Sequence, residues 1–302
     1  MSPKQAWRLL KAAAQAWSQD NASRLAAALA YYTLFSIAPL LILVIAIAGL
    51  FFDSAAVRDQ LMGQAQSLLG ASGADFLGTV LDNANRPGQQ SGWVASIISI
   101  VLLLVGATGV LVQLQTALNT LWNVEARADM GLKNLVRKRA LSFSLILVIG
   151  FLLLVSLVLS SVAAGLSAYF QNIAPGLDSL VQILNFAISL ALTTVLFALM
   201  FKYLPDVVIE WGDVWFGAVV TSLLFSLGKF LIGLYLGNSS FSSTYGAAGS
   251  VIVLLVWVFY SAQILFFGAE LTQAFAQRFG SQIRPNRFAV PSEPVSGRSQ
   301  DK

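Results

Sequence analysis

Residues 25–52, 87–124, 140–177 and 179–201 contain no Asp, Glu, Lys or Arg, and Lys229 is the only such residue between 214 and 269. A helix rises about 1.5 Å per residue, so roughly 20 apolar residues cross a hydrocarbon layer about 30 Å thick. Each of these runs is long enough. Charged residues make up 11% of the 302-residue chain and hydrophobic ones 57%. Soluble domains carry about 25% charge, so a water-soluble fold of this size could not cover its own surface. The expected fold is all-α, a polytopic membrane bundle of six transmembrane helices. They cover roughly 25–52, 93–115, 141–169, 180–201, 214–237 and 249–274. An amphipathic cytoplasmic arm (1–24) precedes the transmembrane domain (25–280), and a disordered cytoplasmic tail (281–302) follows it. The first run is too long for the 7–15-residue core of a cleaved signal peptide and starts too far into the chain.

Orientation follows the placement of Lys and Arg. The arm carries Lys4, Arg8, Lys11 and Arg24, and the 2–3 connection carries Arg127, Lys133, Arg137, Lys138 and Arg139. The 4–5 connection has Lys202, and the tail has Arg278, Arg284, Arg287, Arg298 and Lys302. The opposite side has only Arg58 and Arg86. This bias predicts that both termini are cytoplasmic. Basic clusters beside membrane segments fix topology and touch anionic lipid, so the expected partners are membrane lipids and not nucleic acid. The chain has no His and no Cys. Triads, imidazole bases, the usual zinc sites and disulfides are therefore excluded. No P-loop is present, and no cofactor, metal or enzymatic activity is expected. No internal repeat is visible, which weighs against an inverted-repeat transporter.

Trp7, Leu10, Ala14 and Trp17 fall on one helical stripe of the arm, as in a helix lying at a membrane surface. In the external connection 53–91, Val57, Leu61, Ala65 and Leu68 recur at helical spacing, and Phe76, Leu77, Val80 and Leu81 form a second patch. Residues 70–73 separate the two, which predicts a pair of short helices capping the outer face.

Polar residues within spans are the candidates for function. Gly106, Gly109, Gln113, Thr116 and Thr120 share one stripe of the second span; Tyr260, Gln263, Phe267 and Glu270 share one of the sixth. Tyr32, Ser36 and Pro39 share a face of the first, where Pro39 is expected to kink the helix. Each stripe reads either as a packing seam or as part of a site. If they converge, Tyr32, Ser36, Gln113, Thr116, Gln263 and Glu270 line a polar cavity open to the cytoplasm. Lys229 would then form an external gate with Tyr245, Gly246 and Gly249. The competing readings are a Lys229 that snorkels outward and a Glu270 that pairs with a basic tail residue. The small-residue stripe Ala218, Ser222, Ser226 could support a homo-oligomer.

Several segments are familiar: Ala28-Leu-Ala-Tyr-Tyr-Thr-Leu-Phe-Ser-Ile-Ala-Pro-Leu, Ala117-Leu-Asn-Thr-Leu-Trp, Tyr245-Gly-Ala-Ala-Gly-Ser and Trp257-Val-Phe-Tyr-Ser-Ala-Gln-Ile-Leu-Phe-Phe-Gly-Ala-Glu-Leu. In this order they resemble the YihY/BrkB family of bacterial inner-membrane proteins, over roughly residues 10–280. The chain departs from that pattern at the fifth span, where Trp215-Phe-Gly-Ala stands in place of the usual Pro-Gly-Ala. The resemblance implies a bacterial inner-membrane location. Members of that family have been labelled ribonuclease BN, serum-resistance factor or transporter. A nuclease is disfavoured because metal-dependent cleavage needs clustered carboxylates and the cytoplasmic acids are dispersed. The expected function is a transporter or a lipid or small-molecule permease without its own ATPase; a non-transporting envelope scaffold or assembly partner is the alternative.

Overall fold

The computed structural model of the chain describes residues 2–49, 53–84, 93–127, 178–237 and 247–292. The third expected span, Tyr245, Gly246 and residues 293–302 lie outside the described residues. The helices are α1 (Pro3–Gln19), α2 (Ala22–Ala48), α3 (Ser54–Ala84), α4 (Trp93–Leu121), α5 (Asp178–Tyr203), α6 (Trp211–Gly237) and α7 (Ala247–Phe279). Four short strands accompany them: β1 (Val124–Ala126), β2 (Val207–Val208), β3 (Arg284–Pro285) and β4 (Ala289–Pro291). Within α2, α5, α6 and α7, the stretches Ala22–Ala46, Phe186–Tyr203, Trp211–Ile232 and Ala248–Phe279 are long and apolar enough to cross a membrane. α4 coincides with the second expected span and carries no charge along its 29 residues.

The antiparallel pair α6 and α7 is joined by a reciprocal lock. A Cβ built on Gly217 would lie 1.7 Å from the Thr272 hydroxyl oxygen, and one on Gly268 would lie 1.9 Å from that of Thr221. Each threonine therefore fills the gap left by the glycine of the other helix. Each hydroxyl also donates to the carbonyl of the glycine one turn back on its own helix, Thr221 to Gly217 and Thr272 to Gly268, both at 2.7 Å. Both threonine hydroxyls are thereby satisfied within the seam. Both helices thus use the same Gly-x-x-x-Thr spacing. α2 meets α4 in a similar way: Ser36 packs on Gly109 and the Pro39 ring on Gly106, where a Cβ would come within 3.0 and 2.8 Å. The stripe Gly106–Gly109 is thus a packing seam, and Pro39 lies inside a continuous helix. Ala218 and Ser222 of the small-residue stripe are buried, and the Ser222 and Thr194 hydroxyl oxygens lie 2.7 Å apart between α6 and α5.

At the end of the bundle that bears α1, the segment after α7 straps two connections together. β4 pairs antiparallel with β1 (Glu125 opposite Val290), and β3 pairs antiparallel with β2 (Val208 opposite Arg284). Residues 281–292 are therefore ordered, contrary to the expectation of a disordered tail. Its two prolines in the strap, Pro285 and Pro291, sit in two- or three-residue edge strands that can lack an N–H. Phe288 and Ala289 are buried beneath it.

Asp206 anchors this end. Its carboxyl oxygens accept from Asn119 Nδ2 (2.8 Å) and Gln115 Nε2 (3.3 Å), and its N–H donates to Asn119 Oδ1 (2.8 Å). Its carbonyl accepts from the Asn286 N–H of the strap at 2.9 Å. The last turns of α4, expected to end at 115, continue to Leu121 because Asn119 and Gln115 find this partner. Thr116 and Thr120 turn back onto their own helix. Asp213, in the first turn of α6, accepts from both the N–H and the hydroxyl of Ser281 (2.9 and 2.8 Å). The Trp122 indole donates to the Ala269 carbonyl of α7 at 3.0 Å. Tyr203, Trp211 and Trp215 form an exposed aromatic group at the same level, Tyr203 edge-on to Trp211 and Trp215 tilted against it, with Lys202 5.5 Å over the Trp211 ring. Such a belt suits a membrane–water interface. α1 lies across this end, with Leu9 and Ala13 packed on Leu271 of α7 and Trp7 70% exposed.

At the opposite end α3 caps the bundle. Gly70 has φ 74°, a left-handed conformation that breaks α3 into two pieces. Arg58 and Asp82 form an ion pair between the pieces. Ala65, Leu69 and Leu77 pack on Ile232, Leu254 and Trp257 of α6 and α7.

Substitutions in the α6–α7 lock and at Asn119 test this arrangement. Gly268→Val should lower unfolding stability in detergent by about 1–3 kcal/mol, the usual cost of overpacking. Gly268→Ala combined with Thr221→Gly, which exchanges gap and knob, should be less destabilised than Gly268→Ala alone. Asn119→Ala should cost about 1–3 kcal/mol by leaving a buried carboxyl group short of partners. It should also speed cleavage of the strap after Arg287, measured by limited trypsin digestion.

Candidate functional site

The register of the lock places residues of α6 and α7 in layers. Two further turns along each helix, a Cβ on Gly228 would meet the Tyr260 hydroxyl at 2.8 Å and Ile264 at 2.6 Å. Lys229 therefore stands level with Ser261. The Thr194–Ser222 contact puts Ser189 of α5 within about one turn of that level. From Trp211 in the aromatic belt to Lys229 is roughly 27 Å along α6 at the standard rise, close to the far edge of the hydrocarbon.

At this level α5 separates from the α6–α7 pair, and a cavity of about 420 Å³ opens between them. Its polar lining is Lys229, Ser261, Ser189, Thr193 and Gln64, the last reaching in from α3. Its deeper walls are apolar, from Leu192, Leu196, Phe197 and Met200 of α5, Leu114 of α4 and Leu265 of α7. The cavity is amphipathic along the bundle axis, with its polar groups toward the α3 end. Among the described residues, neither Lys229 nor the buried Ser261 hydroxyl has an ion-pair or hydrogen-bond partner. Thr193 is occupied by its own helix, donating to the Ser189 carbonyl at 2.8 Å. A lysine at the centre of a span costs about 2.5–3.5 kcal/mol on insertion; Lys229 is exposed and stands near the far edge, where the cost is smaller.

The residues expected to form one cytoplasmic cavity are distributed among several places. Ser36 is buried in the α2–α4 seam, and Tyr32 beside it is 45% exposed, its ring edge-on to Tyr31. Gln113 is half-buried and Thr116 exposed, its hydroxyl donating to the Val112 carbonyl. Gln263 donates to the Ser23 hydroxyl at 3.1 Å and lines a separate apolar groove of about 440 Å³ with Trp17, Gly228 and Tyr260. Glu270 is fully buried in α7, next to the Ala269 carbonyl that accepts from Trp122. Neither of these two cavities is lined by Tyr32, Ser36, Gln113, Thr116 or Glu270. The α2 and α4 stripes meet each other, but as the close-packed seam of Ser36 and Pro39 on Gly109 and Gly106, which leaves no space for a cavity there. Of the expected gate, Lys229 lines the 420 Å³ cavity and Gly249 is buried in the first turn of α7; Tyr245 and Gly246 are outside the described residues. Ser189, Thr193, Ser261 and Gln64 were not foreseen. No charge or repeat marks them, and only the register of α5 and α7 against Lys229 could have singled them out.

A family model described as virulence factor BrkB matches residues 13–292. A UPF0761 membrane protein of Albidiferax ferrireducens is 29% identical over 266 residues, covering 84% of this chain and 59% of that protein. One from Alteromonas mediterranea is 27% identical over 263 residues, covering 86% of this chain and 85% of its own length. One from Pseudomonas aeruginosa is 27% identical over 256 residues, covering 83% and 59%. The chain thus spans about three-fifths of the length of the Albidiferax and Pseudomonas relatives. No solved structure matches. The family match runs from α1 through the end of the strap, and so takes in every described helix. The chain belongs to the BrkB family and is an integral membrane protein.

Proposed function

We propose that this protein is a permease of the bacterial inner membrane that moves a small or lipid-like molecule without hydrolysing nucleotide. The observation that carries the reading is the cavity among α5, α6 and α7, which is lined by hydroxyls and by the exposed cation Lys229, unpaired among the described residues. Permeation needs polar groups inside the bundle, and a scaffold does not. The stripe that could have served self-association, Ala218 and Ser222, is spent on contacts within the bundle. The strap, the arm and the aromatic belt gather most of the described basic residues at one end, which supports cytoplasmic termini by the charge rule. The reading assigns no nuclease or other hydrolytic activity to the chain.

Reporter fusions at Lys302 and near Gly88 should signal opposite sides of the membrane; same-side signals would sink the orientation. Purified protein in liposomes should move at least one member of a panel of organic anions, zwitterions and labelled lipids faster than protein-free liposomes do. Ser189→Trp, which fills the cavity, should remove most of that flux while leaving insertion intact. If no panel member moves, or if the filled cavity transports normally, the permease reading fails.

A further inference from the structure

The cavity is built in two halves, and the halves differ in chemistry. At the α3 end, Lys229, the Ser261 hydroxyl and Ser189 stand at one level, with Gln64 from the capping helix among the lining groups. Lys229 supplies a positive charge with no acidic partner among the described residues, and Ser261 supplies a buried hydroxyl with no partner. Toward the other end, Leu192, Leu196, Phe197, Leu114 and Leu265 offer a surface with no hydrogen-bonding side chain. A small inorganic anion would use only the first half. A neutral hydrocarbon would use only the second and would leave the lysine unpaired.

We propose that this cavity binds an anionic amphiphile, a phosphate or carboxylate head carried on a single hydrocarbon chain, with the head on Lys229 and Ser261 and the chain along α5. The proposal rests on the permease reading for its biological role but concerns binding alone. Lysine is a point charge that accepts either head without requiring a planar fork of donors. The length of the site agrees: from Ser189 to Met200 is eleven residues, roughly 16 Å of helix, enough for a chain of about a dozen carbons. Tethering a head at Lys229 also puts it near the far edge of the hydrocarbon, where anionic heads reside, while its chain points toward the middle of the bilayer.

The test is equilibrium binding to the purified full chain in an uncharged detergent, followed by native mass spectrometry and by ligand-induced thermal shift. The probes are lysophosphatidic acid, a long-chain fatty acid, the uncharged monoacylglycerol of matched chain length, and inorganic phosphate. One or both anionic amphiphiles should bind saturably, and comparison of the two identifies the head. Monoacylglycerol and inorganic phosphate should bind at least about 10-fold more weakly. Lys229→Gln should weaken the anionic probe about 10-fold or more and leave monoacylglycerol unchanged, whereas Lys229→Arg should retain binding. Ser189→Trp should weaken all three chain-bearing probes. Unchanged anion binding in Lys229→Gln would overturn the proposal, as would inorganic phosphate binding as tightly as the amphiphiles. So would no binding by either amphiphile to a wild-type protein that is folded by circular dichroism. Binding without flux would sink the permease reading and leave this site standing; flux of other compounds without amphiphile binding would do the reverse.

Discussion

Inside a bilayer the hydrophobic effect does not draw one apolar helix onto another, because lipid tails are as apolar as the helices. Helices must instead be held by close packing and by hydrogen bonds that leave no polar group open. The Gly217–Thr272 and Thr221–Gly268 pairs meet both demands with one device, repeated in opposite directions on two antiparallel helices. Glycine lets the backbones approach, and threonine fills the space while its hydroxyl is satisfied within its own turn. Once this register is fixed, the levels of Lys229, Tyr260, Ser261 and Ala269 follow. The Trp122 bond to the Ala269 carbonyl then fixes α4 against the same pair.

The two ends of the bundle are closed in different ways. At the α1 end, water and headgroups compete for backbone groups, so order comes from specific polar contacts. Asp206 gathers the end of α4, the α5–α6 link and the strap, and Asp213 holds Ser281 where Gly280 permits the approach. At the α3 end, closure is apolar: Leu69, Leu77, Ile232, Leu254 and Trp257 form a separate cluster. The ion pair there, Arg58 with Asp82, is exposed and contributes at most about 1 kcal/mol. An end closed by apolar contact and a glycine break can shift more readily than one tied by a buried carboxyl group. It is also the end toward which the polar half of the cavity lies.

What the sequence disclosed depended on the range of the interaction. Charge-free runs marked α2, α4, α5, α6 and α7, and the glycines at 70–73 marked the break in α3, because both are local properties. The strap was not legible: its strands are two or three residues long, and its pairing partners lie some 80 and 165 residues earlier in the chain. The polar stripes were visible as stripes, but their use was not. Ser36 on Gly109 and Gln263 on Ser23 show that a polar face can be taken up by a neighbouring helix. Asn119 and Trp122 sit in a segment whose resemblance to the family was plain, yet their partners Asp206 and Ala269 come from other helices and the loop between them.

The cavity is a consequence of the same lock that stabilises the fold. Small residues on the facing sides of α6 and α7 bring these helices together, and the larger ones turn to the flanks. On α6 the closely packed face runs through Gly217, Thr221 and Gly228, with Phe225 and Lys229 beside it. α5 joins α6 through Phe197, whose ring meets Phe225 edge-on at 5.6 Å, and through the Thr194–Ser222 contact. Beyond that point Ser189, whose side chain is too short to reach across, faces Lys229 and Ser261 over open space. A bulkier residue at 189 would narrow this gap by packing. The tight seam and the open site are therefore adjacent by construction. A ligand entering here would press on the flank of α6 with little need to disturb the Gly–Thr pairs that hold it to α7.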